Sequence, residues 1–253
     1  MRLLVSVRSA IEASAASAGG ADLIDAKDPL AGSLGAVSLD VLREIRAAVD
    51  AARPISAALG DATSEAAIER SAFAFAAAGA AFIKVGFAQV GNKRHATSLI
   101  SAAVHGAHAG NDGACEVVAV AYADADRALS VDPAALVRVA ARSGAAGLLL
   151  DTWDKTGPGL RSLVTPDELA AFVAEVHRSR LFAALAGKLS ADDLPFVRQA
   201  GADIAGVRGA ACDGGRAGRV TAERVGLLRG LCTDHQPSHP TVQSRSADHN
   251  ASK

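Results

Sequence analysis

Eight short apolar runs recur along this chain: Leu3–Val7, Asp22–Ala26, Ile55–Leu59, Phe82–Gly86, Val117–Tyr122, Gly147–Asp151, Leu181–Ala186 and Ile204–Val207. A longer stretch of helical character separates each run from the next. The runs are nearly continuous in apolar residues instead of alternating, which is the pattern of strands covered on both faces. Helix signals fill the intervals. Ser38 can cap a helix in which Val41, Leu42, Ile45, Ala48 and Val49 fall at helical spacing. Asp132-Pro133 sets a capping residue before a proline at the first helical position. Thr165-Pro166-Asp167-Glu168 adds a capping box, and Ser190 and Thr221 are caps for the last two helices.

A weak internal repeat points the same way. Gly20-Ala21, Gly79-Ala80, Gly144-Ala145 and Gly201-Ala202 each close a helix and lead into a strand. Glycine ends the helix by taking the left-handed conformation, and alanine lets helix and sheet approach closely. Strands alternating with helices imply a parallel sheet. Eight such units in 253 residues favour closure, because a (β/α)8 barrel takes roughly 250 residues. We therefore expect a single (β/α)8 TIM barrel over residues 1–231. Residues 232–253 are polar, lack periodicity and hold three of the seven histidines, so we expect a disordered, solubilising tail.

Composition excludes several classes of function. Half the residues are hydrophobic, mostly Ala, Val, Leu and Ile, enough for a large core. The net charge is −1 and no basic stripe with interleaved aromatics occurs, which argues against nucleic acid. Cys115, Cys212 and Cys232 form no C-x-x-C pair, so they read as thiols of a reducing compartment. The start, Met1-Arg2-Leu3-Leu4-Val5, lacks the longer apolar core of a signal peptide. No apolar run is long enough to cross a bilayer. The expectation is a cytoplasmic protein with a small-molecule substrate, assembling as a homo-oligomer.

In a barrel, chemistry belongs at the C-terminal strand ends and the loops that follow. Asp25 and Lys27 are two apart, so on a strand both face the same way. A buried lysine can form a Schiff base once its pKa approaches neutrality. Moving a lysine from ~10.4 to ~7 means roughly 4–5 kcal/mol of differential destabilisation of its charged form. A nearby carboxylate opposes that shift and a nearby cation assists it. Lys84, in the fourth strand Phe82-Ile83-Lys84-Val85-Gly86, supplies the cation. For either lysine alone the alternative is a structural ion pair at the barrel mouth. Asp151 ends the sixth strand, where a general acid or an orienting group would stand, and Lys155 follows in its loop, where a solvated surface lysine is the alternative.

The seventh and eighth loops read Ala186-Gly187-Lys188-Leu189-Ser190 and Gly206-Val207-Arg208-Gly209. Barrels often bind phosphate there. Glycine admits the anion to backbone N–H groups, Lys188 and Ser190 add polar side chains, and Arg208 could clamp the anion bidentately. Asp61, Tyr122 and Asp124 follow strands three and five and fall at the mouth without assigned roles. His105 and His108 lie on the fourth helix, away from the strand ends, and we expect no metal site.

Taken together, Leu3-Leu4-Val5-Ser6, Gly19-Gly20-Ala21-Asp22 into Asp25-Ala26-Lys27-Asp28-Pro29, Gly32-Ser33-Leu34-Gly35-Ala36, Ile83-Lys84-Val85-Gly86, Asp151-Thr152 with Lys155, and Gly206-Val207-Arg208-Gly209 resemble the (5-formylfuran-3-yl)methyl phosphate synthase family. The resemblance runs from Met1 to about Gly230 with the motifs in order. It implies a (β/α)8 barrel that condenses two molecules of glyceraldehyde 3-phosphate into a furan aldehyde phosphate, releasing phosphate and water, for methanofuran-type cofactor biosynthesis. It further implies Lys27 as the Schiff-base lysine, Lys84 as the proton acceptor, and Asp25, Asp151 and Lys155 as supporting residues, with no cofactor. One departure is visible: Gly187-Lys188-Leu189-Ser190 stands where the family pattern is Gly-Ser-Leu-Lys. The competing readings are an imine-forming aldolase acting on another phosphosugar and a non-catalytic barrel that binds a phosphorylated metabolite.

Overall fold

A computed structural model describes residues 1–233. Eight parallel strands close into a barrel in sequence order: β1 (Arg2–Val7), β2 (Leu23–Ala26), β3 (Ile55–Asp61), β4 (Phe82–Gly86), β5 (Glu116–Tyr122), β6 (Gly147–Asp151), β7 (Phe182–Leu185) and β8 (Ile204–Val207). The ring is closed by β8 pairing with β1. Around it run α1 (Ala10–Ala18), α2 (Leu39–Ala47), α3 (Glu65–Ala77), α4 (Lys93–Gly110), a short α5 (Ala125–Ala128), α6 (Pro133–Arg142), a short α7 (Leu160–Leu163), α8 (Pro166–Arg178), α9 (Leu194–Gln199) and α10 (Ala222–Cys232). No helix among the described residues is long and apolar enough to cross a membrane.

The expected punctuation has a visible mechanism. Gly20, Gly79, Gly144 and Gly201 all have φ between 82° and 96°, the left-handed turn that ends each helix before its strand. Ser38, Asp132, Thr165 and Thr221 accept hydrogen bonds from the first turns of α2, α6, α8 and α10. Ser190 opens a 3-10 turn, Ala191–Asp193, that leads into α9.

Three local differences from expectation matter. β3 runs past Leu59 to Asp61, because Gly60 at φ 84° takes up a register shift between Ala58 and Asp61. Past β8 the chain makes an unexpected antiparallel hairpin, β9 (Cys212–Asp213) with β10 (Arg219–Val220), turned by left-handed Gly214 and Gly215. At the C-terminal end, Cys232 is buried as the last residue of α10, one position beyond the expected domain boundary. Residues 234–253 of the expected tail lie outside the described residues.

Strand parity divides the interior into two compartments. Residues pointing outward from the strands form the large core between barrel and helices. Those pointing inward, among them Leu4, Leu23, Val118, Leu149, Ala184 and Ile204, form a second apolar cluster that fills the lumen. Phe82 and Phe182 complete its floor edge to face, with ring centroids 5.7 Å apart. Gly147 makes room for them: a Cβ there would stand 2.4 Å from the Phe182 ring. Above this floor the inward positions turn polar.

Candidate active site

Continuing up the strands at the same parity, Leu4 is followed by Ser6, Leu23 by Asp25 and then Lys27, Phe82 by Lys84, and Leu149 by Asp151. These residues line a cavity of about 220 Å³ at the C-terminal end of the barrel, together with Lys155, Gly187, Lys188, Gly206, Arg208, Gly209 and Arg216. The five residues expected to carry chemistry therefore share one chamber with most of those expected to bind phosphate. Ser190 stands apart. It is exposed and outside the cavity lining, and its amide and hydroxyl both donate to Asp193 Oδ2, so it serves the 3-10 turn and not an anion.

Charge pairing decides which lysine can be neutral. Asp25, wholly buried, sits 2.6 Å from Lys84 Nζ and also accepts the hydroxyls of Ser6 and Ser56 at 2.7 and 2.6 Å. Asp151 holds Lys155 Nζ at 2.6 Å and receives the Thr152 amide at 2.8 Å. Lys27 Nζ lies 3.7 Å from Asp151, whose carboxylate already has the closer partner. Three ammonium groups thus face two carboxylates, and Lys27 is the one with the loosest pair.

The pKa directions follow. Burial drives Lys27 down, Asp151 and Asp25 pull it back, and Lys84 and Lys155 push it further, with the result near 7. Burial alone would raise Asp151, but Lys155 and Lys27, with the Lys155 and Thr152 hydrogen bonds, outweigh it and bring it to about 2. Asp25 is likewise held below its ordinary value: burial opposes, while Lys84, Lys27 and the bonds from Lys84 and Ser56 prevail. Both carboxylates stay charged in a chamber whose remaining amine is poised to lose its proton.

Sequence gave no role to Ser6 or Ser56, although each is a hydroxyl at an inward position beside Asp25 in the strand register. Nor was Glu12. It forms a buried bidentate pair with Arg208, at 2.5 and 3.0 Å. Arg208 also donates to the carbonyls of Ser6, Arg216 and Gly218. All five guanidinium N–H groups face protein acceptors, so the expected phosphate clamp is here a fastener between β1, α1 and the loop after β8. Among the described residues, the amides of Gly187, Lys188 and Gly209 donate to no acceptor and are free for an anion. Lys188 itself is exposed, in the left-handed region at φ 59°, with Nζ on the Gly157 carbonyl.

The residues left without roles support the walls. Tyr122, fully buried, donates to Asp61 Oδ1 at 2.6 Å, which also accepts the Ala88 amide. Gly86 permits that contact, since a Cβ there would stand 2.3 Å from both oxygens. Burial first, then the Asp61 charge, pushes the Tyr122 phenol up. Asp124 accepts the amides of Trp153 and Asp154 at 2.7 and 2.9 Å, which fixes the loop carrying Lys155. His105 stands on α4 facing Glu69 on the surface. No cluster of three or more His, Cys, Asp or Glu residues is arranged to hold a metal among the described residues.

Comparison with known proteins matches this architecture to named relatives. Residues 3–229 match the family model described as 4-HFC-P synthase. The chain is 38% identical to (5-formylfuran-3-yl)methyl phosphate synthase of Methanosarcina barkeri, over 92% of this chain and 99% of that one. It is 39% identical to the protein of the same name from Methanocaldococcus jannaschii, over 92% and 100%. Among solved structures, 3-hexulose-6-phosphate synthase superposes with a TM-score of 0.63 at 22% identity, covering 92% of this chain and 100% of its own, a likeness of fold.

Proposed function

Because the chain belongs to the 4-HFC-P synthase family, we propose that it condenses two molecules of glyceraldehyde 3-phosphate into (5-formylfuran-3-yl)methyl phosphate through a Schiff base on Lys27. The observation that carries this reading is the buried Lys27 amine, brought to about pKa 7 by burial and two neighbouring lysines. A neutral amine attacks a carbonyl carbon; an ammonium has no lone pair to do so.

One triose phosphate, after isomerising to the ketone, loses its carbonyl oxygen as water and leaves an iminium on Lys27. The iminium draws electrons from the adjacent C–H bond. The Lys84–Asp25 pair takes that proton, with Ser6 and Ser56 holding Asp25 in place. Lys84, the proton acceptor that the resemblance implies, works in this reading as one half of an ion pair, its Nζ bound to the Asp25 carboxylate at 2.6 Å. The resulting enamine attacks the aldehyde carbon of the second triose. Lys155 and Asp151, joined at 2.6 Å, move protons for the dehydrations and for loss of one phosphate. General acid–base assistance of this kind contributes about 10²–10⁴-fold per step. The free amides of Gly187, Lys188 and Gly209 suit a phosphate dianion.

Incubation with glyceraldehyde 3-phosphate tests the proposal. It requires release of inorganic phosphate together with a furan product by mass spectrometry. A product that keeps both phosphates, formed reversibly, would assign an aldolase instead, and binding without turnover would assign a metabolite sensor.

A further inference from the structure

Arg216 is a cation of this cavity for which neither the sequence motifs nor the charge pairs above account. It lies in the turn of the β9–β10 hairpin, beside Gly209, where a Cβ would come 3.5 Å from the Arg216 nitrogen. Its side chain is half-buried and lines the chamber that holds Lys27 and Asp151.

Two contacts fix its place. Arg208, anchored on buried Glu12, donates Nε to the Arg216 carbonyl at 3.1 Å. Arg216 Nη2 donates to the carbonyls of Pro29 and Gly32, at 3.2 and 3.0 Å, across the mouth in the loop that follows Lys27. Nε and Nη1 make no hydrogen bond to any described residue. Asp151, which attracts this guanidinium, is already bound to Lys155. A planar donor group held at one nitrogen, partly withdrawn from water and open along its other edge, matches a multi-oxygen anion. The amides of Gly187, Lys188 and Gly209, which line the same chamber, are also without acceptors.

We infer that Arg216 is a phosphate ligand of this cavity, recognising the phosphoester of a bound triose and filling the role that the sequence gives to Arg208. The inference rests on the proposed function only in taking the substrate to be phosphorylated. The amides of Gly187, Lys188 and Gly209 offer a phosphoester only partial charges, and Arg216 supplies a formal one.

The test uses the full-length protein and its Arg216→Met and Arg216→Lys variants. Calorimetric titration with inorganic phosphate is paired with borohydride trapping of dihydroxyacetone phosphate and of unphosphorylated dihydroxyacetone. Loss of a charged hydrogen-bond donor predicts phosphate binding, and half-saturation by the phosphorylated ketone, about 10–100-fold weaker in Arg216→Met. Trapping of dihydroxyacetone should change by less than about threefold. Arg216→Lys should recover part of the phosphate affinity, which also controls for a folding defect in the methionine variant. Unchanged phosphate binding overturns the inference, as does equal slowing with both ketones, the mark of a purely structural strap. A wild-type protein that binds phosphate through Arg216 but forms no furan would refute the proposed function and leave this assignment standing.

Discussion

Replacing Lys27 with methionine should make the protein more stable while ending imine formation. The folded protein releases the Lys27 proton near pH 7, whereas the unfolded chain holds it to about 10.5. Unfolding in that interval takes up a proton, so wild-type stability rises with pH between those values and carries its full penalty below them. Worked from the two pKa values, the penalty is about 4 kcal/mol at pH 7 and about 1 kcal/mol at pH 10, as upper values. Methionine is unbranched, of similar length and uncharged, so it removes the penalty without a large change in packing. Asp151 is not orphaned, because Lys155 and the Thr152 amide remain on it. Urea unfolding of both proteins at pH 7 and pH 10 measures the difference. The expected result is a more stable variant at pH 7 whose advantage shrinks toward pH 10. A variant less stable at pH 7, or an advantage independent of pH, would refute the reasoning.

Other substitutions test the frame around the site. Gly147→Ala drives a methyl group against the Phe182 ring and should cost roughly 1–3 kcal/mol, read as a lower Tm; an unchanged Tm would mean the lumen floor yields freely. Glu12→Gln leaves buried Arg208 without its charge partner and should cost roughly 3–5 kcal/mol at neutral pH. Glu12 is held below its ordinary value, burial opposing and Arg208 and Arg8 prevailing. Its contribution is present above the ordinary carboxylate range and is lost as pH falls through the folded value, so denaturation curves of the two proteins should converge in acid. The rate of borohydride trapping should rise with pH and level off near pH 7; an ordinary lysine would keep climbing to about pH 10.

The barrel was legible because its signals are local. Gly20, Gly79, Gly144 and Gly201 mark turns that can be read without knowing what lies opposite. The two-residue spacing of Asp25 and Lys27 puts both on one face of the strand whatever else surrounds them, and that face lines the cavity. Partnership was not legible. Glu12 and Arg208 are separated by 196 positions, and nothing at either position announces the other. Arg208 looked available for phosphate because sequence cannot show that its donors are already engaged. Arg216 escaped notice for the complementary reason: it sits in a Gly-rich stretch that carries no motif, and only the β9–β10 hairpin folds it over the cavity. Ser190 is an intermediate case, where a cap signal and a phosphate-loop signal coincided and the cap prevailed.

The central claim is that Lys27, and no other amine of the chamber, bonds covalently to substrate. Borohydride reduction during turnover of glyceraldehyde 3-phosphate, followed by peptide mass spectrometry, addresses it directly. The account predicts a triose adduct on Lys27 and unmodified Lys84, Lys155 and Lys188. An adduct on one of those three, or full turnover with no trapped adduct, would contradict it.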